Sequence, residues 1–136
     1  MLYLIDSNWV IQHLANVPEA VQLLDQLAAD GFAVSIITYM EAFQGVLQSP
    51  TPEQAQAKFQ AFFDAVPVFP VSRAVARRCA SLREALKQQN RSVRPRALDL
   101  IIAATALEHG LILVTRNVDD YTDVPGLDLY GAHPQR

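Results

Sequence analysis

Apolar positions recur along the chain with two periods, and the switches between them mark out the elements. Leu2-Tyr3-Leu4-Ile5 is a short β-type run ending at Asp6, and a helical stretch follows from about Asn8 to Ala15. Pro18 stands near the first turn of the next helix, where Val21, Leu24, Leu27 and Ala28 recur at helical spacing until Asp30-Gly31 stops it. Residues 33–37 predict a second strand, and Thr38 to about Leu47 a helix. After the loop Ser49-Pro50-Thr51-Pro52, a further helix carries Ala55, Phe59, Phe62 and Phe63 on one face. Val66-Pro67-Val68-Phe69 predicts an edge strand, because proline cannot donate to a ladder. Ser72 caps a long helix to about Gln89, with Val75, Cys79, Leu82 and Leu86 in one stripe. Residues 90–96 form a basic loop, Ala97 to His109 an apolar helix closed by Gly110, and Leu111 to Val114 a fourth strand; Asp128-Leu-Tyr130 reads as a fifth.

Strands that alternate with helices predict an α/β fold: a parallel sheet of about five strands with helices on both faces. The 136 residues suit one domain, 1–136, with its core over about 2–130. Hydrophobic residues make up 51% and charged residues 18%, which excludes a disordered chain. The single cysteine excludes a disulfide scaffold and reads as core packing. No apolar run approaches the ~20 residues of a membrane span, and the first cation is Lys58, so the basic start of a targeting segment is missing. The expected location is the cytoplasm.

Net charge is −3, which alone argues against a polyanion partner. Its distribution argues the other way. Between Arg73 and Arg96 lie eight of the eleven cations, opposed only by Glu84, so this stretch carries +7 and the remainder −10. Such asymmetry fits a basic face for a polyanion and an acidic site elsewhere, although a charge run can also be a solvated helix face.

In open α/β sheets the ligand site lies beyond the carboxyl ends of the strands. There the chain places Asp6-Ser7-Asn8, Thr38-Tyr-Met-Glu41 and Thr115-Arg-Asn117-Val-Asp119-Asp120, while Asp99 lies in the first turn of the helix before the fourth strand. Each has a plainer reading: Asp6 as a helix cap, Thr38-x-x-Glu41 as a capping box, Asp99 as a partner of the helix dipole, Asp119 and Asp120 as turn residues. Converging carboxylates, however, raise one another's pKa values unless cations neutralise them. Mg²⁺ or Mn²⁺ suits such hard oxygens. His13, His109 and His133 are too scattered for zinc, and the five glycines form no phosphate loop. A metal beside a basic face points to metal-dependent phosphodiester hydrolysis, with the basic segment on flanking phosphates.

Leu4-Ile-Asp-Ser-Asn8, Ser35 to Glu41 with Gly45, Leu98 to Thr105, Leu113 to Tyr121 and the ending Val124-Pro-Gly-Leu127 resemble the PIN-domain ribonucleases, and more narrowly the VapC toxins of toxin–antitoxin modules. The resemblance runs from Leu2 to about Tyr130. It implies a five-stranded PIN fold and a Mg²⁺- or Mn²⁺-dependent endoribonuclease acting on single-stranded or loop RNA. It implies a homodimer held inactive by a VapB-type antitoxin. Asp6, Glu41 and Asp99 match the family's regular acidic positions: Asp6 and Asp99 for direct metal binding, Glu41 for the metal or the attacking water. Asp120 and Asn117 both fit the fourth position, with Asp120 favoured by its charge; Ser7 and Thr115 are supporting hydroxyls. Arg91, Arg94, Arg96 and Arg116 are candidate RNA contacts.

Two points stay open on sequence alone. Trp9 could be core or line the mouth of the cleft, and Phe59, Phe62 and Phe63 could pack internally or at an interface. The competing function is a PIN-like RNA- or protein-binding module without catalysis; it would typically lack one of the acids, and Asp6, Glu41 and Asp99 are all present. A phospho-acceptor receiver domain is excluded, because no acceptor Asp follows the third strand and the only lysines are Lys58 and Lys87. A haloacid-dehalogenase phosphatase would need Asp-x-Asp where Asp6-Ser-Asn8 stands.

Overall fold

The computed structural model describes residues 1–131. In chain order these form β1 (Tyr3–Ile5), α1 (Ser7–Leu14), α2 (Pro18–Leu27), β2 (Phe32–Ser35), α3 (Ile36–Leu47), α4 (Pro52–Ala65), β3 (Val68–Phe69), α5 (Arg73–Gln88), α6 (Ala97–His109) and β4 (Ile112–Val114). Short 3₁₀ turns occupy Arg94–Arg96 and Val118–Tyr121. The strands are parallel in the order β3-β2-β1-β4, so the first strand of the chain sits beside the last.

The pleat of β1 sends successive side chains to opposite faces, and each face has its own core. Leu4, Ala33 and Leu113 pack against Val75, Leu82 and Leu86 of α5 and Leu100 and Ala103 of α6. Tyr3, Ile5, Val34 and Val114 pack against Val10 of α1, Leu24 of α2 and Phe59 of α4. Phe59, Phe62 and Phe63 belong to this second core, in an aromatic cluster with Tyr39 and Phe43. Their apolar face is therefore used internally. Cys79 is buried, and burial pushes its thiol pKa up, as expected of a packing residue. Among the described residues, no helix is long and apolar enough to cross a membrane.

Three boundaries differ from the sequence reading. The second strand ends at Ser35 rather than Ile37, because the Ser35 hydroxyl accepts from the Ile37 N–H and starts α3 there. Thr38 thus lies inside the helix, and Thr38-x-x-Glu41 is not a capping box. The third strand is only Val68–Phe69, since Pro67 offers β2 its carbonyl but no N–H. The expected fifth strand is a single parallel bridge between Leu113 and Leu129, which leaves four strands among the described residues. Turns through residues 122–127 and a left-handed Gly131 (φ +78°) leave that segment no length to pair.

Candidate active site

Asp6 leaves β1 with its backbone N–H on the Val114 carbonyl at 2.9 Å, so its position is set between β1 and β4. Its carboxylate Oδ1 accepts from the Ser7 N–H at 2.7 Å and caps α1. Oδ2 accepts from the Thr115 hydroxyl at 2.7 Å, and Thr115 Oγ1 in turn accepts from the Asn117 N–H at 3.1 Å. The cap expected on simple grounds is real, and it also fixes a 6%-exposed carboxylate at the sheet's carboxyl edge.

Ser7 links this group to α3. Its hydroxyl donates to Glu41 Oε1 at 2.5 Å and stands 3.0 Å from Thr38 Oγ1. A serine hydroxyl has one proton, so Thr38 is the donor in the second contact. Thr38 and Glu41 are three residues apart and share a helix face. Asp99, half-buried in the first turn of α6, completes the approach from the other side of the sheet. Burial raises the pKa of Asp6; the hydrogen bonds from Thr115 and Ser7 pull it down, and Asp99 and then Glu41 push it up again. The net direction is upward, with burial its largest cause and the two neighbouring acids adding to it. Among the described residues, none of Asp6, Glu41 and Asp99 forms an ion pair with Lys or Arg.

The segment after β4 lies at the rim. Asn117, Asp119 and Asp120 are exposed on the 118–121 turn and the residue before it. Tyr121 is buried beneath it, with its hydroxyl close to the Asp99 carboxylate. Burial, then the charges of Asp6 and Asp99, the hydrogen-bonding approach to Asp99 and the charge of Asp120, hold that hydroxyl's pKa well above the ordinary range. Arg96 grips Asp123 with both terminal nitrogens at 2.8 Å and donates to the Asp120 carbonyl at 2.7 Å. The pair raises the Arg96 pKa and lowers that of Asp123. Arg116 lies 3.9 Å over the Trp9 ring and donates to Gln12 and Glu19. Trp9 is a core residue with one face under that guanidinium. Arg91 and Arg94 are exposed on the loop before α6.

The structure thus gathers Asp6, Ser7, Glu41, Asp99 and Thr115, keeps Asn117 and Asp120 at the rim, and engages Arg96 and Arg116 with the protein itself. Thr38 and Tyr121 are the neighbours that the sequence reading did not assign to the site. The i, i+3 spacing of Thr38 and Glu41 could have shown the first, once α3 was started at Ile36. Among the described residues, no three Asp, Glu, His or Cys side chains are drawn tightly enough together to enclose one ion. The donor chemistry still fits a hard divalent cation, because every group offered is an oxygen and the most buried carboxylate is uncompensated.

A family model for the PIN domain matches residues 3–127. The tRNA(fMet)-specific endonuclease VapC of Shigella flexneri is 31% identical, over 92% of this chain and 93% of that protein. Ribonuclease VapC19 of Mycobacterium tuberculosis is 32% identical, over 91% of this chain and 95% of its own length. Among solved structures, VapBC2 from Rickettsia felis, bound to a DNA fragment from its promoter, superposes with a TM-score of 0.83 at 27% identity, covering 95% of this chain and 97% of that one.

Proposed function

The chain belongs to the PIN-domain family, among the VapC ribonucleases, and from that premise we propose that it is an endoribonuclease, metal-dependent, and the toxin of a VapBC-type pair. The observation that carries this reading is the buried, uncompensated Asp6 carboxylate with Glu41 and Asp99 acting on it. In this reading Asp6 and Asp99 hold Mg²⁺ or Mn²⁺, with Glu41 beside them and Asp120, ahead of Asn117, at the rim. Mg²⁺ commonly takes only one or two carboxylates and completes its shell with water, which agrees with acids gathered but not closed around one point. A bound ion supplies Lewis acidity toward the scissile phosphate and lowers the pKa of a water nucleophile.

The protein's own groups set the rest. Thr115 and the Ser7 amide hold Asp6 in one orientation, leaving its remaining lone pairs for the ion. Ser7 fixes one Glu41 oxygen, so the other is free to orient the attacking water. Such supporting bonds typically carry 10–100-fold of metal affinity or activity. A VapB-type antitoxin is the partner this membership brings. An apolar groove of about 200 Å³ lined by Ile11, Leu14, Ala42, Val46 and Ala55, with Met40 and Leu47 exposed nearby, offers it apolar surface. Light scattering on the co-expressed pair tests that contact, together with the homodimer expected from the resemblance. A cytoplasmic location follows from the same reading.

Purified protein free of its partner is expected to cut RNA at discrete positions in Mn²⁺ or Mg²⁺, and neither in EDTA nor as Asp99→Asn. Equal cutting by that variant would sink the assignment. Folded wild type that binds RNA but leaves it intact would favour the non-catalytic binding module.

A further inference from the structure

A broad concavity lies away from the acids, on α5. It is a shallow cleft of about 930 Å³ lined by Arg73, Arg77, Arg78, Ser81 and Glu108. Helices α5 and α6 form an antiparallel hairpin: Arg78 of α5 pairs with Glu108 in the last turn of α6, and the 89–96 loop leads from the end of α5 into the turn that carries Asp99. One end of α5 is therefore far from the acids and the other is close to them. Its 16 residues span about 24 Å.

The face of α5 turned from the core is predominantly basic, with the exposed Glu84 its one acid. With Val75, Cys79, Leu82 and Leu86 buried, Arg73, Arg77 and Lys87 are exposed on the outer side and Arg83 is half-exposed at its flank. Arg91 and Arg94 continue the exposed cations toward Asp99. Among the described residues, only Arg78 and Arg96 of the eight cations in this stretch have an ion-pair partner. Arg73 and Arg77 are i, i+4 neighbours of like charge, an arrangement that destabilises a helix. A solvated surface needs no such uncompensated row, whereas a chain of phosphates would neutralise it. Screening confines charge effects to about 8–10 Å; with Glu84 and the paired Glu108 and Asp123 set against the eight cations, a local +5 outweighs the protein's net −3 for a ligand on this face.

We propose that the outer face of α5, from Arg73 and Arg77 through Lys87 to Arg91 and Arg94, is a phosphate track that carries the RNA backbone to the acidic site. The inference rests on the nuclease reading and deepens it: the substrate is an RNA long and ordered enough to follow the roughly 24 Å length of α5 as well as enter the acidic site, rather than a short single strand.

The test measures binding of full-length protein to unfractionated tRNA and to a single-stranded RNA of about three nucleotides, too short to run the length of α5, in EDTA, between about 50 and 200 mM salt. For Arg73→Gln/Arg77→Gln, the slope of log Kd against log salt on tRNA should fall by about 0.7–0.9 for each arginine removed. Binding of the trinucleotide should be unchanged. Arg73→Lys/Arg77→Lys should restore the slope, because phosphate tracking needs charge rather than a guanidinium fork. In Mn²⁺ the Gln variant should raise KM for tRNA with kcat kept. An unchanged slope overturns the track. So does an equal loss on the short RNA, and so does intact RNA binding with weakened antitoxin binding, which would make the face a protein interface. Wild type that shows the full salt slope yet cuts nothing supports the track while refuting the nuclease.

Discussion

A few side chains at the edge of the sheet are those we propose for the chemistry, and each can be tested alone. Thr115→Val removes the hydroxyl on Asp6 Oδ2; activity should fall about 10–100-fold, with Thr115→Ser recovering most of it. Steady-state cleavage rates at saturating Mn²⁺ check this. Asp6 also makes a pH prediction. Its pKa is raised in the folded protein, so its contribution to stability is fully present below the unfolded value of about 3.9 and is lost as pH rises through the folded value. In EDTA, Asp6→Asn should therefore gain in Tm relative to wild type as pH goes from about 3.5 to 7, and Mn²⁺ should reduce that gain by stabilising wild type alone. A pH-independent difference would mean that Asp6 is not penalised by its surroundings.

The elements place these side chains, and their ends are where the sequence was both most and least readable. Asp6 and Asp99 were legible because each sits at a boundary that local chemistry announces: an apolar run stopping at an acid, and an acid in a helix's first turn. Gly110 was legible for the same reason. It ends α6 at φ +64°, a conformation that costs other residues, so Gly110→Ala should cost about 1 kcal/mol in urea unfolding. The start of α3 was not legible. Ile36-Ile37 are β-branched and prolong a strand pattern, while one serine hydroxyl decides for the helix. Ser35→Ala should accordingly cost about 1 kcal/mol and loosen the Thr38–Glu41 face. Asp128–Tyr130 had a strand's composition but not its partners. Tyr121 was legible as the aromatic ending the Leu113–Tyr121 motif, but nothing local says that a turn aromatic will be buried beside Asp99.

At the scale of the molecule, charge is sorted. The acids gather beyond the sheet, the cations line α5, and the Arg96–Asp123 clamp stands between them, tying the start of α6 to the segment after β4. That clamp is bidentate and its side chains are about one-fifth exposed, so it should be worth more than an ordinary surface pair. Asp123→Asn is expected to lower stability by about 1 kcal/mol. Because the Asp123 pKa is depressed, this contribution is present above the unfolded carboxylate value and disappears as pH falls through the folded one. Thermal melts at neutral and acid pH read both statements.

The strand order has a consequence in time. β1 is made well before β4, in which it finds one of its two neighbours, and Asp6 receives its Thr115 bond across 109 residues of chain. A ribosome adding about 5–20 residues per second needs roughly 5–20 s between making the first of these residues and the last. Through that interval the growing polypeptide has an aspartate with nothing to hold it and a sheet without its closing edge. The acid cluster at the sheet edge is therefore held together only once residue 115 has been made and has met Asp6.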